Sequence, residues 1–190
     1  MSTRSVIARK TEGDAFIGRY SHFDGYPSGV GIGVINAFSE FPFEKAVSIL
    51  LDEHPAGWSS IADADWTKEI GYVNFDHPEF ESLRKAPNCF CHGDRSEDGW
   101  AITNLDDAGV EFAYVIDESN KTMTIYERTH DNGDHATGFF GMATGGGWNP
   151  IGKVNLDIDT NSLVETMLSI CPMYQSVSYT HLTLPTKRIV

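Results

Sequence analysis

The hydrophobic pattern of the first twenty residues is typical of two short strands. Residues 5–9 and 15–20 are rich in β-forming side chains, and the polar stretch between them contains Gly13. Glycine accepts the backbone angles that a tight turn requires. We therefore predict a β-hairpin in which Ser5 to Arg9 pairs with Ala15 to Tyr20.

The pattern then changes to a helical period. Apolar residues recur three and four positions apart from Val30 to Phe38, and a serine precedes them. This spacing predicts a helix from Gly29 to Phe38 with Ser28 as its N-cap. Glycines at positions 29, 31 and 33 weaken such a helix. We expect that they are there because the helix packs closely against the sheet.

The stretch between Pro42 and Pro55 predicts a second helix. Its apolar residues lie on one face, and the two prolines suit the first turn and the end of a helix. A shorter helix is expected at residues 78–85, in a region that is otherwise rich in Asp, Gly, Pro and Trp.

Strand composition returns in the second half of the chain. Residues 111–117 and 121–128 predict a hairpin, and residues 138–143 and 153–158 predict two further strands. A last helix is expected to begin at Asp159 or Thr160 and to end before Pro172.

The order of these elements is strands, helices, strands and a helix. That order is typical of an α+β fold with a mainly antiparallel sheet and helices packed on one face. No linker or repeat divides the sequence, so residues 1–175 are expected to form a single domain.

The C-terminal stretch "VSYTHLTLPT", Val177 to Thr186, resembles the translation of a DNA adapter used in sequencing. The similarity runs over ten consecutive residues. We therefore expect that residues 176–190 are a non-native, adapter-derived tail and that they are not part of the fold.

The chain is strongly acidic. Its 190 residues include 27 Asp and Glu against 14 Lys and Arg, which gives a formal net charge of −13. Such a charge disfavours direct binding to nucleic acid or to an anionic membrane, and it favours a basic protein surface as a partner. The apolar runs are too short to span a bilayer, and the N-terminus resembles no secretory signal, so a cytoplasmic location is expected.

The stretch "YSHFDGYPSGVGIG" is the first candidate binding site. His22, Asp24, Tyr26 and Ser28 stand among glycines, but the spacing fits no phosphate-binding or nucleophile motif. A structured turn that leads into a helix explains these residues, because Asp24-Gly25 is a turn dipeptide. A site for an anionic group at the helix start is the alternative.

A second resemblance concerns the N-terminus. The opening "MSTRSVIA" and the corner "YSHFDGYPSGVG" resemble a group of small uncharacterised proteins from bacteriophages and bacterial genomes. The resemblance implies a phage or prophage protein in the cytoplasm of a bacterial host. It implies no chemistry.

The stretch "NCFCHGD" is the candidate metal site. Cys89 and Cys91 lie on one face of an extended segment, and His92 follows directly. Thiolate and imidazole are zinc ligands, so these residues predict zinc if a remote histidine completes the set: His77, His130 or His135. The alternative is that the cysteines are free thiols in a region rich in loops, with no cofactor.

Two hypotheses about function follow. The first is a phage-type acidic protein that acts by binding a basic protein surface, supported by the net charge and the lack of a complete catalytic motif. The alternative is a metal-binding domain or small hydrolase-like enzyme that uses the corner at His22, Asp24 and Tyr26 together with the segment from Cys89 to Asp94. The sequence does not decide whether the protein is an enzyme.

Overall fold

A computed structural model describes residues 3–13, 15–71, 85–92, 109–128, 148–157 and 160–170. Its seven strands are β1 (Arg4–Lys10), β2 (Phe16–Ser21), β3 (Trp58–Ser60), β4 (Asn88–Cys89), β5 (Val110–Asp117), β6 (Thr122–Arg128) and β7 (Trp148–Asn155). Its α-helices are α1 (Ile32–Glu40), α2 (Phe43–Val47) and α3 (Thr160–Ile170). Two π-helical segments adjoin them: Pro27–Gly31 leads into α1, and Ser48–Asp52 continues α2.

The strands form one sheet in the order β4-β3-β2-β1-β5-β6-β7. The hairpin of β1 and β2 and the hairpin of β5 and β6 are antiparallel, as predicted. The α+β class is confirmed. The prediction of a mainly antiparallel sheet is wrong, because β1 pairs with β5, and β2 with β3, in parallel, which makes the sheet mixed.

The parallel pair of β2 and β3 has a topological cause. Both predicted N-terminal helices lie between these strands in the sequence, and the connection returns the chain so that β3 begins beside Ser21, the last residue of β2. A connection of this kind makes its two strands parallel. The sequence pattern concealed it, because β3 has only three residues.

The first helical region begins earlier than predicted. The π-helical segment starts at Pro27, and Tyr26 occupies the N-cap position without a side-chain hydrogen bond. Ser28 is therefore inside the helical turn, and its prediction as an N-cap is wrong. Proline suits the first turn of a helix because its missing N–H would have no partner there.

The glycines of this region make the close contacts that the sequence predicts. A Cβ at Gly31 would lie 2.5 Å from the Met167 Cε atom of α3 and 3.0 Å from the Tyr114 ring of β5. A Cβ at Gly33 would overlap the carbonyl oxygen of Ile61. The helix is thus held against the sheet on one side and against the chain after β3 on the other.

Buried side chains pack on both faces of the sheet. On one face, Ile7, Phe112 and Tyr114 pack with the apolar residues of the helical layer. On the other, a second cluster is built around Val6, Phe16, Tyr20 and Phe90, and Trp148 packs against it. The described helices contribute to the first cluster.

Several sequence predictions lie outside the described residues. They are residues 78–84 of the predicted helix at 78–85, the strand at residues 138–143, the cap at Asp159 and the tail at residues 176–190. Among the helices of the described ranges, none combines the length and the apolar composition that crossing a bilayer requires.

Candidate metal centre

Two short segments, residues 54–58 and 88–92, meet at the β4 edge of the sheet. Trp58 on β3 pairs with Cys89 on β4 in antiparallel register. The Phe90 N–H donates to the Gly57 carbonyl at 3.0 Å, and the Ala56 N–H donates to the Cys91 Sγ atom at 3.3 Å. These hydrogen bonds fix the cysteines against the chain that follows α2.

Gly57 allows this close approach. Its φ angle is +83°, in the left-handed region that favours glycine. A Cβ at this position would lie 2.6 Å from the Tyr20 carbonyl oxygen. The turn between His54 and Trp58 therefore requires a residue without a side chain.

The end of the second helical region positions His54. The Glu53 N–H donates to the Ser48 carbonyl at 2.9 Å, which closes the last π-helical turn. The Glu53 carboxylate also pairs with Lys45 at 2.8 Å and accepts from the Ser48 hydroxyl at 2.8 Å. The chain leaves the helix directly afterwards, so the imidazole of His54 turns into the protein.

Trp58 forms the wall behind that imidazole. The ring centroids of His54 and Trp58 are 4.6 Å apart. The indole N–H of Trp58 donates to the Leu50 carbonyl at 3.0 Å, and the side chain is fully buried. Because burial and this hydrogen bond fix the Trp58 side chain, the ring of His54 packs against a rigid surface.

The central observation is that His54, Cys89 and Cys91 converge. One nitrogen of His54 and the two sulfur atoms all lie within 4.8 Å of one another. In an occupied tetrahedral zinc site, sulfur and nitrogen ligands lie roughly 3.5–3.8 Å apart, given Zn–S of about 2.3 Å and Zn–N of about 2.0–2.1 Å. Small side-chain movements would therefore bring all three atoms onto one ion.

His54 has the properties of a neutral ligand. It is only 6% exposed, and its Nδ1 atom has no hydrogen-bond partner within the described part of the chain. Burial lowers the pKa of His54, and the nearby His92 lowers it further. Both effects favour the uncharged imidazole, which is the form that binds metal ions.

Cys89 is unsuited to act as a free nucleophile. Its side chain is fully buried, and burial raises the pKa of its thiol to about 11. Catalytic cysteines are partly exposed and have lowered pKa values. A bound cation removes the thiol proton outright, so a buried thiol of this kind is suited to metal coordination.

His92 lies at the outer side of the three converging residues. Its Nδ1 atom is 2.9 Å from the Cys89 Sγ atom, and its ring centroid is 5.8 Å from that of His54. The side chain is exposed. His92 contacts the group without being within 4.8 Å of all three ligand atoms.

The structure brings together the predicted residues Cys89, Cys91 and His92 and adds a residue that the sequence analysis missed. That residue is His54. The predicted remote partners, His77, His130 and His135, lie outside the described residues. The only local signal for His54 was its position between a strong helix and Pro55.

The other predicted site residues lie at the corner after β2. Side-chain hydrogen bonds form there between His22 and Tyr20 and between Asp24 and Tyr26. The Tyr20 hydroxyl and the His22 Nδ1 atom are 2.7 Å apart, and the Tyr26 hydroxyl donates to the Asp24 carboxylate at 3.1 Å. Burial raises the pKa of Tyr26 to about 12, and the charge of Asp24 and this hydrogen bond raise it too. Tyr26 is therefore protonated at neutral pH.

Backbone contacts account for the shape of this corner. Asp24 has a φ angle of 54°, and its carbonyl accepts from the Val30 N–H at 2.9 Å. The Tyr114 hydroxyl donates to the Gly25 carbonyl at 2.7 Å. Ser28 is half-buried in the helical turn. These contacts are those of a structured turn; the use of His22, Asp24, Tyr26 and Ser28 as a binding site stays a prediction.

Known proteins give no further indication of function, since no family model, no curated protein and no solved structure matches the chain.

Proposed function

We propose that this chain is a zinc-binding protein whose metal ligands include His54, Cys89 and Cys91. The observation that carries the proposal is the spacing of the three ligand atoms, all within 4.8 Å. Two thiolates and an imidazole are ligands that zinc accepts, whereas magnesium and calcium require oxygen.

The surroundings of the ligands support the same proposal. The Cys91 sulfur accepts a hydrogen bond from the Ala56 N–H, a contact that favours a thiolate. Burying an imidazole nitrogen without a partner costs free energy, and coordination of a metal ion by that nitrogen would remove the cost at His54. The two cysteines are free thiols, so both sulfur atoms are available.

The role we propose for the ion is to join the end of the second helical region to the edge of the sheet. β4 has only two residues at the edge of the sheet, and besides β3 its backbone pairs, within the described residues, with the single residue Gly71. A zinc ion shared by His54 and the cysteines would cross-link these segments. Structural zinc ions supply folding free energy in this way.

A zinc titration of the metal-free chain against a coloured chelator tests the proposal. We expect one tight site in the wild type and a loss of affinity of at least about 100-fold in His54→Ala and Cys91→Ser. The matched control is His22→Ala, which removes a histidine that contacts Tyr20 and the Phe90 ring and is not one of the three converging residues. Equal affinity in all four proteins would overturn the proposal.

Binding of a basic protein surface, in a phage or prophage setting, is a second proposal. The net charge of −13 supports it, because opposite charges speed and orient association. A defined basic protein is a suitable probe. We expect the chain to bind it at low salt with an affinity that falls steeply as salt is added, and no binding at low salt would contradict this second proposal.

A further inference from the structure

We propose that His92 is the fourth zinc ligand and closes the site as a four-coordinate centre of two cysteines and two histidines. This inference rests on the proposed function, since it assigns a further residue to the same ion. It also decides what the ion does, because an open position is needed for hydrolysis and a closed site is structural.

His92 is already in contact with Cys89. The 2.9 Å separation of Nδ1 and Sγ is shorter than the roughly 3.5 Å between sulfur and nitrogen ligands of one zinc ion. The His92 imidazole is thus close enough to the Cys89 sulfur for both atoms to bind the same ion. Metal binding would replace this direct contact with two bonds to the ion.

The two imidazoles lie near the separation that a shared ion requires. Two histidines on one tetrahedral ion place their ring centroids roughly 5 Å apart, given a Zn–N bond of about 2.0–2.1 Å. The rings of His54 and His92 are 5.8 Å apart, at an angle of 49°. The observed separation is roughly 0.8 Å larger than this tetrahedral value.

The exposure of His92 allows its ring to move. His54 and Cys89 are buried, whereas His92 is exposed. An exposed side chain can change rotamer without disturbing the packing of its neighbours. The three inner ligands are therefore preorganised, and His92 covers the solvent side of the ion once it has bound.

Cobalt(II) in place of zinc tests this inference, because its visible spectrum reports the number and kind of ligands. In the full chain we expect the strong absorption of a four-coordinate ion, unchanged by added imidazole. The variant His92→Ala should bind cobalt at least about tenfold more weakly and should respond to imidazole, which would occupy the vacated position.

A second variant keeps the test independent of folding defects. His92→Cys supplies a third thiolate, so the thiolate-to-cobalt charge-transfer absorption should rise about 1.5-fold. If the wild type and His92→Ala give the same spectrum and affinity, His92 is not a ligand, and the three-residue site stands. If the wild type binds neither cobalt nor zinc, the proposed function itself fails.

Discussion

Trp58 and Cys89 are direct partners across the antiparallel pair of β3 and β4. Directly opposed residues place their side chains on the same face of a sheet. Because the ring of His54 packs on Trp58, this one register brings a histidine from the end of a helix to a cysteine on the sheet edge.

The first prediction concerns this contact. Trp58→Phe removes the hydrogen bond to the Leu50 carbonyl and part of the wall behind His54. We expect a loss of about 1–3 kcal/mol in the free energy of unfolding and zinc binding weakened by about tenfold or more. Urea unfolding and a zinc titration measure the two effects.

Trp66→Phe is the matched control. Trp66 is also buried and donates to a backbone carbonyl, that of Gly33, but its ring packs against Phe41 and Trp58. A similar loss of stability with unchanged zinc affinity is expected. If both variants weaken zinc binding equally, the wall formed by Trp58 has no special role at the metal centre.

The second prediction concerns the free energy that zinc supplies. A ligand present at 100 times its dissociation constant stabilises the native state by about 2.7 kcal/mol. The midpoint temperature of thermal unfolding of the wild type should therefore rise when zinc is added, and a chelator should reverse the rise. At the same zinc concentration Cys89→Ser should be stabilised by only about 0.4 kcal/mol if its affinity is about 100-fold weaker; an equal shift in this variant would place the ion elsewhere.

The third prediction concerns the glycines of the first helical region. Gly33→Ala would force a methyl group into the Ile61 carbonyl oxygen, so we expect a loss of about 3 kcal/mol or more in urea unfolding. Gly71→Ala is the control, because nothing lies within 4 Å of a Cβ at that position. Equal stability of the two variants would contradict the close packing described above.

The fourth prediction concerns the pH dependence of stability. The pKa of Tyr26 is raised from 10.0 to about 12, first by burial and then by Asp24. A group with a raised pKa in the folded state contributes its full stability below the unfolded value and loses it as pH rises through the folded value. The free energy of unfolding should therefore fall between pH 10 and about 12.

The variant Tyr26→Phe isolates this contribution. It lacks the titrating hydroxyl, so its stability should fall less steeply than that of the wild type over the same pH range. Parallel curves from urea unfolding would show that Tyr26 titrates alike in the folded and unfolded states.

The sequence predicted those parts of the fold that depend on local pattern. Both hairpins were predicted because strand composition and a turn residue lie next to each other in the chain, as around Gly13. The parallel pair of β2 and β3 was missed because a long connection through helices decides it. A strand as short as Trp58–Ser60 is too short to show an alternation of hydrophobic and polar residues.

The residues of the proposed metal centre were predictable only in part, for the same reason. Cys89, Cys91 and His92 are neighbours in the sequence, so their spacing alone indicated a site. His54 is distant, and a histidine before a proline at the end of a helix has no distinctive pattern. Its position beside the cysteines follows from its packing on Trp58 and from the register that pairs Trp58 with Cys89.

The most direct test of the account is the X-ray absorption spectrum at the zinc edge of the full chain loaded with one equivalent of zinc. The account predicts two sulfur ligands at about 2.3 Å and two nitrogen ligands at about 2.0–2.1 Å, with one sulfur lost in Cys89→Ser. A shell of oxygen and nitrogen alone, the same in the wild type and the variant, would contradict it.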